Sequence, residues 1–282
     1  MSKQIDLDIL ICLNCKNNQF KKNLSKITCQ KCQKKYPYKD DKYFFSVPKN
    51  DIITDPLDKL KHFLKRYSLL YEGLIAIISP VYTDNTLRHF INLHVKNKNI
   101  MALNLGSGNS NYKNISNIDI INYPNVNLIC DITNLPIKNE SIDIIINRAV
   151  LEHIPNDQKA VSEMFRILKK GGFIICFYPF IQGFHASPKD YTRKTYEGVK
   201  ELFKNLELIE LKCYGGPTSG LLWVFQEWLA ILLSFGIRQL HDLIYLLIII
   251  ITFPIKYLDI ILIHHPLAKN ISSGFIIIGR KI

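Results

Sequence analysis

The chain has 282 residues, of which 48% are hydrophobic and 21% charged. That leaves enough apolar surface for one large core and excludes a disordered tail, a collagen and a small disulfide scaffold. Lys and Arg outnumber Asp and Glu by 36 to 24, a formal net charge of +12, and residues 1–50, with 11 Lys and 4 Asp, carry +7 of it.

Such a basic N-terminal segment suits RNA, an anionic lipid surface or an anionic protein. Residues 1–12 contain Lys3, Asp6 and Asp8 and no apolar stretch, so no secretory signal is read and a reducing, cytoplasmic setting is expected. Within residues 9–47, Cys12-x-x-Cys15 and Cys29-x-x-Cys32 are separated by 13 residues. Two such knuckles place four thiolates tetrahedrally around one ion, so the spacing predicts a zinc ribbon, with two disulfides as the alternative. Four sulfur ligands leave no open position, so the zinc is expected to be structural. Cys130, Cys176 and Cys213 stand singly in apolar runs and read as small core residues.

Residues 51–98 read as linker helices. Leu57, Leu60, Phe63, Leu64, Tyr67, Leu70 and Leu74 recur at helical steps, Ser79-Pro80 interrupts, and Thr86–Leu93 forms another helix. From residue 99 strands alternate with loops and helices. Strands are expected at 99–105, 114–120, 126–132, 141–148, 173–180, 206–215 and 274–282, and helices at 156–169 and 193–205. Their almost wholly apolar strands predict an α/β fold, a seven-stranded, mostly parallel, doubly wound sheet covered on both faces. The ribbon (1–50) and linker (51–98) precede this domain, which takes 99–216 and 272–282. Residues 217–271 interrupt it with only six charged residues and read as an apolar helical insertion. Residues 243–255 are uncharged and 219–237 carry one charge, Glu227. Neither is an uncharged stretch of the 18 or more residues that strongly indicate a span, so a membrane-surface element or a buried interface is expected.

Three strand ends carry candidate ligand groups. Gly106 and Gly108 follow the first strand, where glycines let backbone approach a ligand. Asp119 closes the second strand and suits ribose hydroxyls; Asp131 closes the third and suits an adenine amino group. Each acid alone fits a helix cap. A dinucleotide fingerprint fits less well, because Asn111 stands where its third glycine belongs and Asp119 follows Gly106 by only 13 residues rather than about 20.

The stretches LNLGSG (103–108), NIDI (117–120), CDITNLP (130–136), SIDIIINRAVLEHI (141–154) and LKKGGFIICFYP (168–179) together resemble the class I, Rossmann-like, S-adenosylmethionine-dependent methyltransferases of the type 11 kind. The resemblance implies that Asn104, Gly106 and Gly108 lie near the methionine part of the cofactor. It implies that Asp119 and Ile120 hold the ribose, that Asp131 and Ile132 hold the adenine, and that Asn147 lines the methyl-donor pocket beside Arg148. Asn104 replaces the family's acid, Ser110 replaces a third glycine, and the stretch 106–114 leaves room for about one helical turn.

On the acceptor side, His153 in LEH reads as structural more than catalytic. The stretch 185–195 after strand five is similar to one in methyltransferases of cell-surface glycan synthesis. It supplies His185 as a candidate base, with Asp190 and Arg193 as polar partners, and Arg193 as a holder of an anionic group. The competing reading of this stretch is a helix-capping loop with Asp190 or Thr192 as the cap. With Trp223 and Trp228 in the insertion, the expected acceptor is small or lipid-linked, at the cytoplasmic membrane face. An RNA methyltransferase using the basic ribbon is the alternative, and a non-catalytic zinc-ribbon scaffold a third.

Overall fold

A computed structural model describes residues 3–49, 77–95, 100–185 and 189–282. The helical periodicity at 57–74 lies outside the described residues. The ribbon strands are β1 (Phe20–Lys22), β2 (Lys26–Cys29), β3 (Lys35–Lys39) and β4 (Lys42–Phe44). Helix α1 (Thr86–His94) follows, then β5 (Ala102–Leu105), β6 (Ser116–Asp119), β7 (Leu128–Ile129) and β8 (Ile142–Arg148). Next come α2 (Asp157–Ile167), β9 (Leu168–Pro179), α3 (Tyr196–Leu202) and β10 (Glu207–Tyr214). The insertion holds α4 (Pro217–Ser234), α5 (Arg238–Thr252) and α6 (Asp259–Leu262), and β11 (Gly274–Arg280) closes the chain.

All seven expected strands of the main domain are present, in the order β7-β6-β5-β8-β9-β11-β10, parallel except that β11 runs antiparallel to both neighbours. The sheet is larger than expected, with eleven strands among the described residues, because the ribbon does not stand apart. Strand β4 pairs parallel with β7, setting Tyr43 opposite Leu128 and Phe44 opposite Ile129. The ribbon thereby covers an edge that would otherwise expose unpaired backbone.

Side-chain alternation sends each strand's residues to two cores. Leu103, Leu105, Ile145, Ile174, Cys176, Tyr178, Phe275 and Ile277 enter one. Ala102, Ile144, Ile146, Ile175, Phe177, Ile276 and Ile278 enter the other, beneath Phe90 of α1. Cys130 and Cys176 are buried core thiols, as expected, and Cys213 is half-buried. The connections 106–115, 120–127 and 130–141 contain turns and no helix, so even the single turn expected after Gly106 is missing. Their place on the first face is taken by Ile5, Leu10, Ile27, Tyr36, Tyr43 and Phe45 of the N-terminal segment. The Ile11 amide donates to Pro136 (2.9 Å) and that of Lys138 to Ile9 (2.8 Å), stitching the two together. The main helices start where side-chain caps are available. Asn156 accepts from the Lys159 amide at α2, and Thr195, rather than Asp190 or Thr192, accepts from the Gly198 amide at α3.

In the insertion, α4 and α5 pack together across the turn at Phe235–Gly236. Its polarity is inverted. Gln226, Lys256 and Asp259 are buried, whereas Phe235 is 85% exposed and Ile251 and Ile261 are each 75% exposed. The run Arg238–Leu262 is, by length and composition, long and apolar enough to cross a membrane. The uncharged stretch 243–255 alone had fallen short of this. Asp259 latches the insertion to the domain. Its carboxylate accepts from the Thr218 amide (2.8 Å), the Ser219 amide (2.8 Å) and the Ser219 hydroxyl (2.6 Å), capping α4 from 40 residues away. Lys256 donates to the carbonyls of Ile77 and Ser79, both at 2.8 Å.

Asp259→Ala strands the buried Thr218 and Ser219 donors, at an expected cost of about 2–4 kcal/mol. A lowered thermal midpoint and faster proteolysis within 217–271 are the expected readouts; unchanged values for both would show that Asp259 is not the latch.

Candidate active site

The parallel strands end at one edge of the sheet, and the residues that follow them form the site. At β5, Gly106 (φ +69°) and Gly108 (φ +51°) turn the backbone through the left-handed region. Val150 packs on Gly106, so that a Cβ there would lie 2.5 Å from its methyl groups, while the space beside Gly108 is open. Asp119 at the end of β6 fixes this loop. One carboxylate oxygen accepts from the Gly108 amide (2.8 Å) and the other from the Ile121 amide (2.9 Å). Asn125 pins the loop from the far side by donating to the Gly108 and Ser110 carbonyls. Asp131 is exposed, folded into a turn by Thr133, whose amide and hydroxyl both donate to it at 2.8 Å. Ile132 beside it is buried, and the Ile120 carbonyl accepts from the Lys49 amide.

Asn104 and Asn147 spend their amides within the sheet. Asn104 is buried and donates to Asn117 (3.2 Å), tying β5 to β6. Asn147 is also buried; it donates to the Leu105 carbonyl (3.0 Å) and accepts from the Cys176 thiol, lacing β5, β8 and β9. Both amides are consumed inside the sheet because a buried amide must satisfy its own polar groups. Gly106, Gly108, Asp119, Ile120, Asp131 and Ile132 do share one edge. The open space at Gly108 and the adjacent acids fit a nucleoside-bearing cofactor.

On the acceptor side, Glu152 and His153 lie in the single 3-10 turn Leu151–His153 after β8, and His185 lies in the loop after β9. Asp190 and Arg193 pair with each other, and Asp190 also accepts from the His185 amide (3.0 Å). The Arg193 guanidinium reaches the Gly183 and Thr192 carbonyls as well. Burial works against the charge on Asp190, but Arg193 outweighs it and holds the carboxyl below its usual range. The pair therefore braces the loop, and Arg193 does not offer a free charge to an anion. Burial also opposes charge on His185, yet Glu152 and the Gly183 carbonyl together raise its pKa above the ordinary value. Trp223 of α4 packs against this loop. Its ring lies 5.6 Å from that of His185, and a Cβ on Gly183 would fall 2.8 Å from its Nε1. Glu152 is the residue that sequence reasoning missed. Its signal is a charge inside the otherwise apolar AVLEHI.

The four ribbon cysteines converge. Cys12 and Cys32 have sulfurs 3.5 Å apart, as do Cys15 and Cys29, and all four lie within 4.8 Å of one another. The two knuckles are built alike. The amide four residues on, Lys16 or Gln33, donates to the Cys12 or Cys29 carbonyl at 2.8 and 3.0 Å, and both residues are left-handed. The Lys34 amide and the Asn14 side chain pull the Cys32 thiol down to about 6. Sulfurs on a tetrahedral zinc lie about 3.8 Å apart, given a bond of about 2.3 Å, so this donor set fits the ion.

Residues 92–176 match the protein family described as "Methyltransferase domain". No curated protein matches the sequence. Among solved structures, the [4+2]-cyclase SpnF is similar with 14% identity and a TM-score of 0.46, over 78% of this chain and 96% of its own. A phosphoethanolamine N-methyltransferase of Haemonchus contortus is 16% identical with a TM-score of 0.45, over 78% of this chain and 59% of its own. The geranyl diphosphate C-methyltransferase of Streptomyces coelicolor is 9% identical with a TM-score of 0.42, over 70% and 77%.

Gly106→Ala forces a Cβ into Val150 at a positive φ and is expected to destabilise the fold by about 1–3 kcal/mol. Gly108→Ala meets open space and costs about 1 kcal/mol, for its backbone conformation alone. Thermal denaturation of the two variants checks the order; equal losses would mean that Val150 yields freely.

Proposed function

We propose that this chain, which carries a class I S-adenosylmethionine-dependent methyltransferase domain, methylates a small or lipid-linked acceptor at the cytoplasmic face of a membrane. A cell-surface glycan precursor is the acceptor class this reading favours. When bound, the cofactor supplies a methyl group carried on a sulfonium. Asp119 and Ile120 would hold its ribose and Asp131 with Ile132 its adenine, while Gly106 and Gly108 let the backbone come close. Asp119 also preorganises the glycine loop, since its carboxylate accepts from the Gly108 amide. Methyl transfer then requires the acceptor atom to be aligned with the methyl and, for a hydroxyl, relieved of its proton. His185, framed by Asp190 and Arg193, is the polar group positioned for that end.

The observation that carries the acceptor reading is the contact of Trp223 with Gly183 and His185. Through Trp223 the apolar hairpin touches the acceptor loop. A soluble domain does not expose apolar area on this scale without a partner. The inverted polarity, with Gln226 donating to Thr252 (2.7 Å) between the helices and leucines and isoleucines outside, suits a hairpin lying in lipid. Both flanking strands, β10 and β11, belong to one sheet, so the hairpin enters and leaves on the same side. Trp228, 55% exposed, suits the interface. The basic ribbon would add attraction to anionic headgroups. The same charge supports the second reading, methylation of RNA.

Full-length protein is expected to float with anionic phospholipid vesicles and to lose that ability in Phe235→Asp/Ile231→Asp. With labelled cofactor, the label is expected in the organic-soluble fraction of membrane extracts. Label confined to RNA would overturn this reading for the second one.

We propose further that the four cysteines hold a structural zinc. Metal analysis is expected to give about one zinc per chain at this site, lost in Cys12→Ser/Cys15→Ser together with ribbon folding. A zinc-free, folded ribbon would rule the assignment out.

A further inference from the structure

We propose that Glu152, His153 and His185 form a second metal site, for one divalent first-row transition ion at the acceptor mouth. Their ligand atoms lie within 4.8 Å of one another. Glu152 is wholly buried, and neither carboxylate oxygen has a hydrogen-bond partner. A buried carboxylate left in that state is strongly disfavoured, and pairing with a cation is one of its few remedies.

The histidines are poised to complete the site. His153 Nδ1 lies 2.7 Å from the Lys189 carbonyl and His185 Nδ1 lies 3.0 Å from the Gly183 carbonyl. A carbonyl accepts only from N–H, which puts the His153 proton on Nδ1 and leaves its Nε2 lone pair free; His185 Nδ1 lies between the Gly183 carbonyl and the Arg193 donor, and the carbonyl contact, the shorter of the two, favours the same tautomer. Metal-binding histidines are fixed in this way, by a backbone carbonyl on the other nitrogen. Both Nε2 atoms face Glu152, at 3.8 and 3.9 Å. Those separations are too long for hydrogen bonds. They match ligand atoms sharing one ion, which lie about 3 to 4 Å apart for bonds of about 2.0–2.2 Å.

The surroundings agree. Arg193 Nη2 approaches His185 Nδ1 at 3.2 Å, but its charge is neutralised by Asp190. Ala149, which leads into the Glu152 turn, has φ +53°, a conformation alanine rarely adopts. Strain of that kind gathers at functional sites. Two imidazoles and one carboxylate suit Mn, Fe, Co or Zn in the divalent state, and three protein ligands leave positions open. In the role of the ion the inference rests on the methyl-transfer reading and replaces His185 as the base there, since a metal-bound His185 has no free nitrogen: an acceptor oxygen on an open position would be oriented and its proton loosened by the ion. Metal binding itself does not depend on that reading.

The test is a Co2+ titration of full-length protein whose cysteine site is already filled with zinc, followed by visible absorption. One equivalent of Co2+ is expected to bind with weak ligand-field bands and no thiolate charge-transfer band. Glu152→Gln and, separately, His185→Gln are expected to weaken binding at least tenfold. S-adenosylhomocysteine titration is run in parallel as the check on fold and cofactor site. No Co2+ binding by wild-type protein that binds S-adenosylhomocysteine, or equal binding by wild type and both variants, would overturn the metal site. Normal Co2+ binding without any S-adenosylhomocysteine binding would instead overturn the methyl-transfer reading.

Discussion

A parallel sheet must be covered on both faces, because its strands are apolar on both. Here that requirement meets three connections, 106–115, 120–127 and 130–141, that contain no helix. The cover must come from elsewhere, and the N-terminal segment supplies it. Ile5, Leu10 and Ile27 pack against Leu105, Ile118 and Leu128, and β4 pairs with the free edge of β7. The ribbon is thus part of the catalytic domain's core and edge. A metal that orders the knuckles orders strands contiguous with Asp119, since β4 pairs with β7 and β7 with β6. If the knuckles hold a metal, its loss is expected to reach the Asp119 edge through backbone pairing.

The insertion obeys the opposite rule. Asp259, Lys256 and Gln226 turn inward, where the two charges satisfy backbone groups and Gln226 joins the two helices, while many of its aliphatic side chains face out. In water this arrangement leaves the wrong atoms exposed. In lipid the same arrangement keeps these three polar side chains away from the surface and turns aliphatic groups outward. The buried charges also explain why the attachment is firm. Each reaches several groups at the base of the hairpin, so the hairpin cannot tilt without breaking more than one charged hydrogen bond.

The main sheet was legible in the sequence because the fully buried strands read as apolar runs and the helices as periodic ones. The four-cysteine array was legible from spacing alone. The pairing of β4 with β7 was not, since Tyr43 and Leu128 are far apart in sequence and nothing local specifies their register. The hydrogen bonds of Asn104 and Asn147 within the sheet were hidden for a related reason. A strand position shows which face a residue takes, but not whether a neighbouring strand offers an acceptor such as Asn117 or the Leu105 carbonyl. The cap at α3 moved to Thr195 because Asp190 was already engaged with Arg193. Glu152 escaped notice because one acid in an apolar turn resembles a solvated residue until its burial is known.

These observations converge on the carboxyl edge of the sheet. Strands β5, β6 and β7 deliver the glycine loop and the two acids, β8 and β9 deliver Glu152, His153 and His185, and β10 and β11 launch and receive the hairpin. Adjacent strands lie about 4.8 Å apart, so the order β7-β6-β5-β8-β9-β11-β10 is also a sequence of functions across the edge. The glycine loop and the two acids occupy one end, the apolar hairpin the other, and the histidine and glutamate cluster lies between them. Because β11 pairs with β9 from Gly274 opposite Pro179 to Arg280 opposite Phe173, the hairpin's exit and the acceptor loop are anchored to the same ladder.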